Sequence, residues 1–248
     1  MMATAKTIAR FVVPKFIRDW RWQKIKERRE AEIAELPLPE KFDHIYREGL
    51  WGRTTNGEMS SGHGTRDAAI VEPYLAAVSE FLEQQPRPLC LVDIGCGDFE
   101  VGKRLLPNVD HYVACDISKK IIEQNIRVHG DKPKLQFRVL NAVEESLPDG
   151  DIVTLRQVLQ HLSNAEIASI LPKLSAYRHI IVTEGLPDGP FQPNADHKAG
   201  FSVRPIENKS GVDLAKPPFN LAHKQARVLC EVPNTGGVGL IRTTLYSS

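Results

Sequence analysis

Between residues 89 and 184 short apolar runs alternate with stretches of helical periodicity. The runs are LCLVDI (89–94), YVACDI (112–117), LQFRVL (135–140), DIVTLR (151–156) and HIIVTE (179–184). Helical patterns fall near 99–106, at SKKIIEQNIRVH (118–129) and at QVLQHL (157–162). This alternation predicts βαβ units and a parallel sheet. Ser163 followed by Glu166 is a capping box that opens a further helix, SNAEIASILPKL. Upstream, DAAIVEPYLAAVSEFLEQQ spaces Ile70, Tyr74, Leu75, Val78 and Leu82 on one helical face. Downstream, ARVLCEV and GLIRTTLY predict two closing strands joined by the turn PNTGG. Two segments break the rhythm. WGRTTNGEMSSGHGT (51–65) reads as an ordered loop before the upstream helix. Residues 185–225, rich in Pro, Gly, Asn and Asp, are too long for a simple connection and are expected to carry function.

The first thirty residues differ in charge from the rest. They hold nine Lys or Arg against Asp19, Glu27 and Glu30, a net of +6, which leaves −5 for the remainder. Phe16, Ile17 and Trp20 lie at helical spacing among basic residues, which predicts a basic amphipathic helix from about Pro14. Such a helix lies on an anionic membrane surface, or packs on its own domain or a partner subunit. The chain therefore divides into a basic arm (1–36) and one domain (37–248) whose residues 185–225 form a substrate-covering insertion. With 42% hydrophobic and 25% charged residues the composition is ordinary for a globular protein. A formal charge of +1 gives no overall attraction to nucleic acid, which is not an expected partner. No apolar stretch reaches the roughly 18 residues that span a bilayer. Pro14, Lys15 and Arg18 interrupt the apolar residues a secretory signal would need. The four cysteines, Cys90, Cys96, Cys115 and Cys230, form no CxxC pair. The expectation is a reducing, cytoplasmic setting, with the arm as a peripheral contact to the inner membrane.

The chemistry concentrates in LVDIGCGDFEVGKRL (91–105). Gly95 and Gly97 permit a tight turn and close approach of the backbone to a ligand. A dinucleotide fingerprint needs a third glycine where Glu100 stands, and a P-loop needs Ser or Thr where Arg104 stands. Asp98 and Glu100 would also repel the phosphates that such loops bind. A cationic ligand suits them better. S-adenosylmethionine has a sulfonium, an amino group and no phosphate. Asp93 and Asp98 can meet its positive charges, and Asp116, 21 residues after Gly95, can accept both ribose hydroxyls. Asn141, ending the third run, offers an amide to the adenine edge. Each residue alone has an ordinary explanation, since an Asp after a strand is usually a helix cap. Their joint placement at successive strand ends carries the reading.

Taken together, VDIGCGDF, VACDIS, VLNA and LRQVLQHLS resemble the class I S-adenosylmethionine-dependent methyltransferases over Leu91 to Glu184. The resemblance implies an α/β, Rossmann-like, doubly wound seven-stranded sheet, mostly parallel with an antiparallel last strand. It adds Cys96, Ile117, Ala142 and Gln157 to the cofactor-binding set. IYREGLWG, SSGHGT and RPIENKSGVDLAKPPFNL are similar to bacterial methyltransferases associated with polysaccharide and cell-surface biosynthesis. That similarity implies that Trp51 and Gly62 to Gly64 fold over the cofactor. The chain departs from the class pattern in lacking the third glycine and in carrying Asn141 where Asp is commoner.

The expected reaction is O-methylation of a sugar, a glycan or a related small molecule. The alternatives are an RNA methyltransferase that uses the basic arm, and a non-catalytic S-adenosylmethionine-binding module. In-line transfer to an alcohol needs alignment and gains from a base poised near pH 7. His161, a turn beyond the fourth run, is the leading candidate base, and Glu184, ending the fifth, is the second. Each has a capping or core-filling alternative. Arg156, at the end of the fourth run, is a candidate holder of an anionic acceptor. His63, on a glycine-flanked lid beside Arg66, and Arg204, in the insertion, complete the candidate substrate contacts. His44, His111, His129, His179 and His223 show no ligand spacing, so a metal-independent enzyme is expected.

Overall fold

A computed structural model of the chain describes residues 24, 25, 27–130 and 132–247. The amphipathic helix expected from Pro14 lies mostly outside them. All seven apolar runs form strands: β1 (Cys90–Ile94), β2 (His111–Asp116), β3 (Leu135–Val139), β4 (Ile152–Arg156), β5 (His179–Leu186), β6 (Gln225–Pro233) and β7 (Leu240–Ser247). They make one sheet in the order β3-β2-β1-β4-β5-β7-β6. β1 to β5 pair in parallel, and β7 is antiparallel to both β5 and β6. This is the doubly wound fold that the pattern implies. The strand order reverses at β1, which opens a crevice over the carboxyl ends of β1 and β4.

From residue 37 onward the α-helices among the described residues are α1 (Leu38–Arg47), α2 (Ala68–Glu83), α3 (Gly102–Leu105), α4 (Lys119–His129), α5 (Asn164–Leu174) and α6 (Arg204–Glu207). Side chains alternate across each strand, and the two faces of the sheet bury different partners. Leu91, Tyr112, Ile152 and Ile181 pack with Val71, Tyr74 and Val78 of α2. Val92, Val153, Leu155 and Val182 pack with Phe42 and Ile45 of α1 and Ile167 and Leu171 of α5. The capping box is formed in both directions: Glu166 N–H donates to Ser163 Oγ, and Ser163 N–H donates to the Glu166 carboxylate at 2.7 Å.

The structure departs from the sequence pattern at two helices. The helix expected near 99–106 is confined to α3, because Phe99 sits at φ +58° and is buried against Tyr112, His129 and Phe137. QVLQHL is no helix but a 3-10 turn over Leu159–His161. Gln157, at φ +56°, turns the chain away from β4. The N–H groups of Val158, Leu159 and Gln160, first-turn donors with no backbone acceptor of their own, are satisfied by Glu184 at 3.1, 2.8 and 3.0 Å.

The insertion contains α6 and is otherwise irregular, yet it is well packed. Val212, Leu214, Phe219 and Leu221 are buried in the same cluster as Phe42. Ile33 joins them at 1% exposure. The Glu30 carboxylate accepts the Ser202 N–H at 2.6 Å, and Lys41 Nζ bridges the carbonyls of Ala34 and Ala199 at 3.2 and 3.1 Å. The end of the arm, residues 30–36, is thus strapped to the insertion.

Candidate active site

Strand ends and covering segments enclose a cavity of about 390 Å³ above β1, β2 and β4. Its floor is the glycine loop. Gly95 and Cys96 donate N–H bonds to the Cys115 carbonyl at 2.8 and 2.9 Å, and Asn125 Nδ2 donates to the Gly97 carbonyl at 2.6 Å. Gly97 has φ +56°, and a Cβ there would stand 2.2 Å from Ser61 Oγ, so the loop accepts no side chain at that position. Ser61 in turn receives the Asp98 N–H at 2.7 Å and lies 3.1 Å from the Tyr46 hydroxyl. The segment 51–65 therefore closes down on the loop, as its ordered-loop pattern implies.

The acidic groups are deeply set. Asp116 accepts N–H bonds from Gly97 at 3.0 Å and Ser118 at 2.9 Å. Burial raises its carboxyl to about 6, against those two donors. Each oxygen keeps a lone pair for a hydroxyl donor. Asp93 accepts from the hydroxyls of Tyr112 at 2.8 Å and Thr154 at 2.9 Å, and burial raises its pKa. Asp98 is already engaged, accepting from Ser61 N–H at 3.0 Å and Arg66 Nη2 at 2.8 Å, while Arg66 also reaches Glu100 at 3.3 Å. The negative charge that argued against phosphate is therefore partly neutralised by Arg66. Asn141 Oδ1 accepts the Val143 N–H at 3.1 Å, which leaves its NH₂ as the group available to a ligand.

All eleven residues expected to bind the cofactor line this one cavity: Trp51, Asp93, Gly95, Cys96, Gly97, Asp98, Asp116, Ile117, Asn141, Ala142 and Gln157. Trp51 packs on Tyr46 and His161 at 5.0 and 5.1 Å between ring centroids, and on Phe42 at 6.0 Å. The residues fit S-adenosylmethionine: a side-chain-free loop, a carboxylate with spare acceptor capacity at the end of β2, and an amide donor beyond β3.

Of the candidate catalytic and substrate residues, His161, Arg156 and His63 also line the cavity. Glu184 and Arg204 do not. Glu184 is 3% exposed and its two oxygens are taken up by the three N–H groups of the 3-10 turn, so it is a cap and not a base. Arg204 is fully buried. It donates to Asn164 Oδ1 at 2.8 Å, to the Ala195 carbonyl at 2.6 Å and to the Leu162 carbonyl, which pins the insertion to α5 and keeps it from a substrate. His161 is in place but does not titrate near pH 7. Burial lowers it to about 4, only partly offset by backbone hydrogen bonds at Gly200 and Ser202. Its Nδ1 lies 3.1 Å from the Gly200 carbonyl, which calls for the Nδ1–H tautomer and leaves the Nε2 lone pair as acceptor. His63 stands at the rim, 2.8 Å from Asp67 Oδ2 and 3.3 Å from Thr235 Oγ1, which joins the lid to the β6–β7 turn.

Sequence reasoning passed over Phe42, Tyr46, Ser61 and Tyr74, all of which line the cavity. Ser61 lies in the SSGHGT motif, but its role depends on a contact across 37 residues of chain. Among the described residues no three His, Cys, Asp or Glu side chains gather as metal ligands would, and no helix is long and apolar enough to cross a membrane.

Comparison with known proteins agrees with this fold. Residues 92–178, about a third of the chain, match the family model described as a methyltransferase domain. This stretch, which is similar to a methyltransferase domain, holds the glycine loop, Asp116 and Asn141. Human N-acetylserotonin methyltransferase in complex with S-adenosylmethionine superposes with a TM-score of 0.53 at 16% identity, over 86% of this chain and 60% of that one. Magnesium protoporphyrin IX methyltransferase from Synechocystis PCC 6803, also with S-adenosylmethionine, gives 0.53 at 15% identity over 86% and 99%. Phosphoethanolamine N-methyltransferase 1 from Haemonchus contortus, with S-adenosylhomocysteine, gives 0.55 at 15% identity over 85% and 49%. The chain spans less than two thirds of the first and third of these proteins. At such identities the likeness is one of fold. No curated protein sequence matches the chain.

Proposed function

We propose that the chain transfers the methyl group of S-adenosylmethionine to a hydroxyl of a small molecule, a sugar or related compound. The observation that carries this reading is the roof. Phe201, Ser202, Val203 and Pro205 of the insertion and Phe42 and Trp51 of the amino-terminal side line the cavity on the His161 side. A site enclosed in this way suits a small molecule or a chain end better than a folded RNA.

When bound, S-adenosylmethionine supplies an electrophilic methyl group. The protein's part is to align and to exclude water. The rings of Trp51 and His161, tilted at 55° to each other, and the strapped segment 199–203 line the acceptor side. The neutral His161 imidazole presents Nε2 as an acceptor for the hydroxyl proton over the whole physiological pH range.

The test is transfer of tritiated methyl from S-adenosylmethionine to a panel of monosaccharides, nucleotide sugars and small hydroxyl compounds, with structured RNA alongside. His161→Ala is expected to lower kcat about 100-fold or more on the responsive acceptor while leaving cofactor affinity unchanged. Turnover should show no ionisation of a base between pH 6 and 8. An unchanged kcat ends the role of His161, and transfer to RNA alone overturns the small-molecule reading.

A further inference from the structure

Arg156 is a half-buried cation whose hydrogen-bond partners among the described residues are neutral oxygens; the carboxylates of Asp93 and Asp98 act on it only through space. Nη2 donates to the Gly64 carbonyl at 2.7 Å, and Nη1 donates to Gln157 Oε1 at 3.3 Å. The guanidinium lies 5.0 Å over the Tyr74 ring, and Nε is buried with no hydrogen-bond partner. Arg156 also lines the cavity. A fixed, half-buried guanidinium with spare donors suits an oxyanion.

Its place in the sheet says which oxyanion. On β4, Ile152 and Thr154 share a face with Arg156. Ile152 packs with α2, and Thr154 donates to Asp93. Asp93, Tyr112 and Arg156 therefore occupy the α2 side of the sheet. Leu155, Phe42 and Leu159 belong to the opposite core, and His161 stacks edge-on against Phe42 there. The proposed acceptor roof is on that opposite side. Along the strand order, Asn141 follows β3, Asp116 ends β2, the glycine loop follows β1, and Arg156 ends β4. A ligand with its nucleoside over Asn141 and Asp116 then directs its remaining arm toward β4, two strand spacings or about 10 Å from β2.

We propose that Arg156 receives the carboxylate of the cofactor's amino-acid end, so that the site selects S-adenosylmethionine over nucleosides that lack this group. This rests on the cofactor reading above and moves Arg156 from the acceptor to the cofactor. The Tyr74 ring and the Gly64 carbonyl hold the guanidinium in place. Because Gly64 belongs to the lid, binding at Arg156 and closure of residues 61–66 are joined through one hydrogen bond.

The test is calorimetric titration of the full chain with S-adenosylmethionine and with decarboxylated S-adenosylmethionine, which keeps the sulfonium and an amine. The wild type is expected to bind the intact compound about 30- to 100-fold more tightly. Arg156→Met should bring the two affinities together by weakening the intact compound alone, and Arg156→Lys should restore part of the difference. Equal affinities in the wild type overturn the proposal whether or not the variants fold. An equal loss for both compounds in Arg156→Met also overturns it, because the residue would then only support the pocket. Failure of the wild type to bind either compound would instead count against the cofactor itself.

Discussion

Truncation of Glu184 to alanine is expected to destabilise the fold by about 3 kcal/mol or more, because three buried N–H groups lose their acceptor at once. For a chain of this length that is a fall in Tm of about 6–12 °C. Glu184→Gln keeps the oxygen that serves Val158 and Leu159 but sets an amide against the Gln160 N–H, so its Tm should fall between wild type and alanine. Burial outweighs these donors and raises the Glu184 carboxyl to about 8. The folded state then holds a proton that the unfolded state has released between about 4.5 and 8, so this group's contribution to stability declines as pH rises through that window. In Glu184→Gln that slope should be absent. Methyl transfer should survive in proportion to folded protein, since Glu184 does not line the cavity. Lost turnover at unchanged Tm would restore the chemical role expected from the sequence.

Gly97→Ala should damage the site directly. The new Cβ would lie 2.2 Å from Ser61 Oγ and 2.9 Å from Ser61 Cβ, at a φ of +56°. Overpacking of this kind costs about 1–3 kcal/mol, and left-handed backbone at a non-glycine residue adds to it. The Gly97 N–H also fixes Asp116, so movement of the loop should weaken S-adenosylhomocysteine binding by about tenfold or more. Gly97→Ala combined with Ser61→Gly relieves the clash but not the φ, and is expected to recover part of the affinity. Undiminished binding in the single variant would separate the loop from the cofactor.

These two residues mark how far the sequence could be read. Apolar runs specify strands because β1, β2, β4 and β5 are largely buried in a sheet covered on both faces, and even the edge strand β3, mostly exposed, keeps an apolar pattern; all seven were legible. Gly97 and Asp116 were legible too, since the turn after β1 and the end of β2 are local events. What escaped was tertiary. Glu184 at a strand end has the appearance of a base, and only the position of the 158–160 turn makes it a cap. Arg204 has the appearance of a substrate contact until the carbonyls of Leu162 and Ala195 close around it. His161 stands where expected, but burial alone decides that it titrates near 4. The pairing of Asp98 with Arg66 joins residues 32 positions apart and leaves no local trace.

On the proposed function, the cavity over β1, β2 and β4 binds S-adenosylmethionine through the Asp116 carboxylate. The most direct test is calorimetric titration of wild type and Asp116→Ala with S-adenosylmethionine, repeated on the wild type with ATP and NAD and across pH 5 to 8. Binding of S-adenosylmethionine alone is expected, about 100-fold weaker in Asp116→Ala, with wild-type affinity falling as pH drops through about 6, where the carboxyl takes up a proton. Equal affinity in the variant, or ATP or NAD binding where S-adenosylmethionine does not, would contradict it.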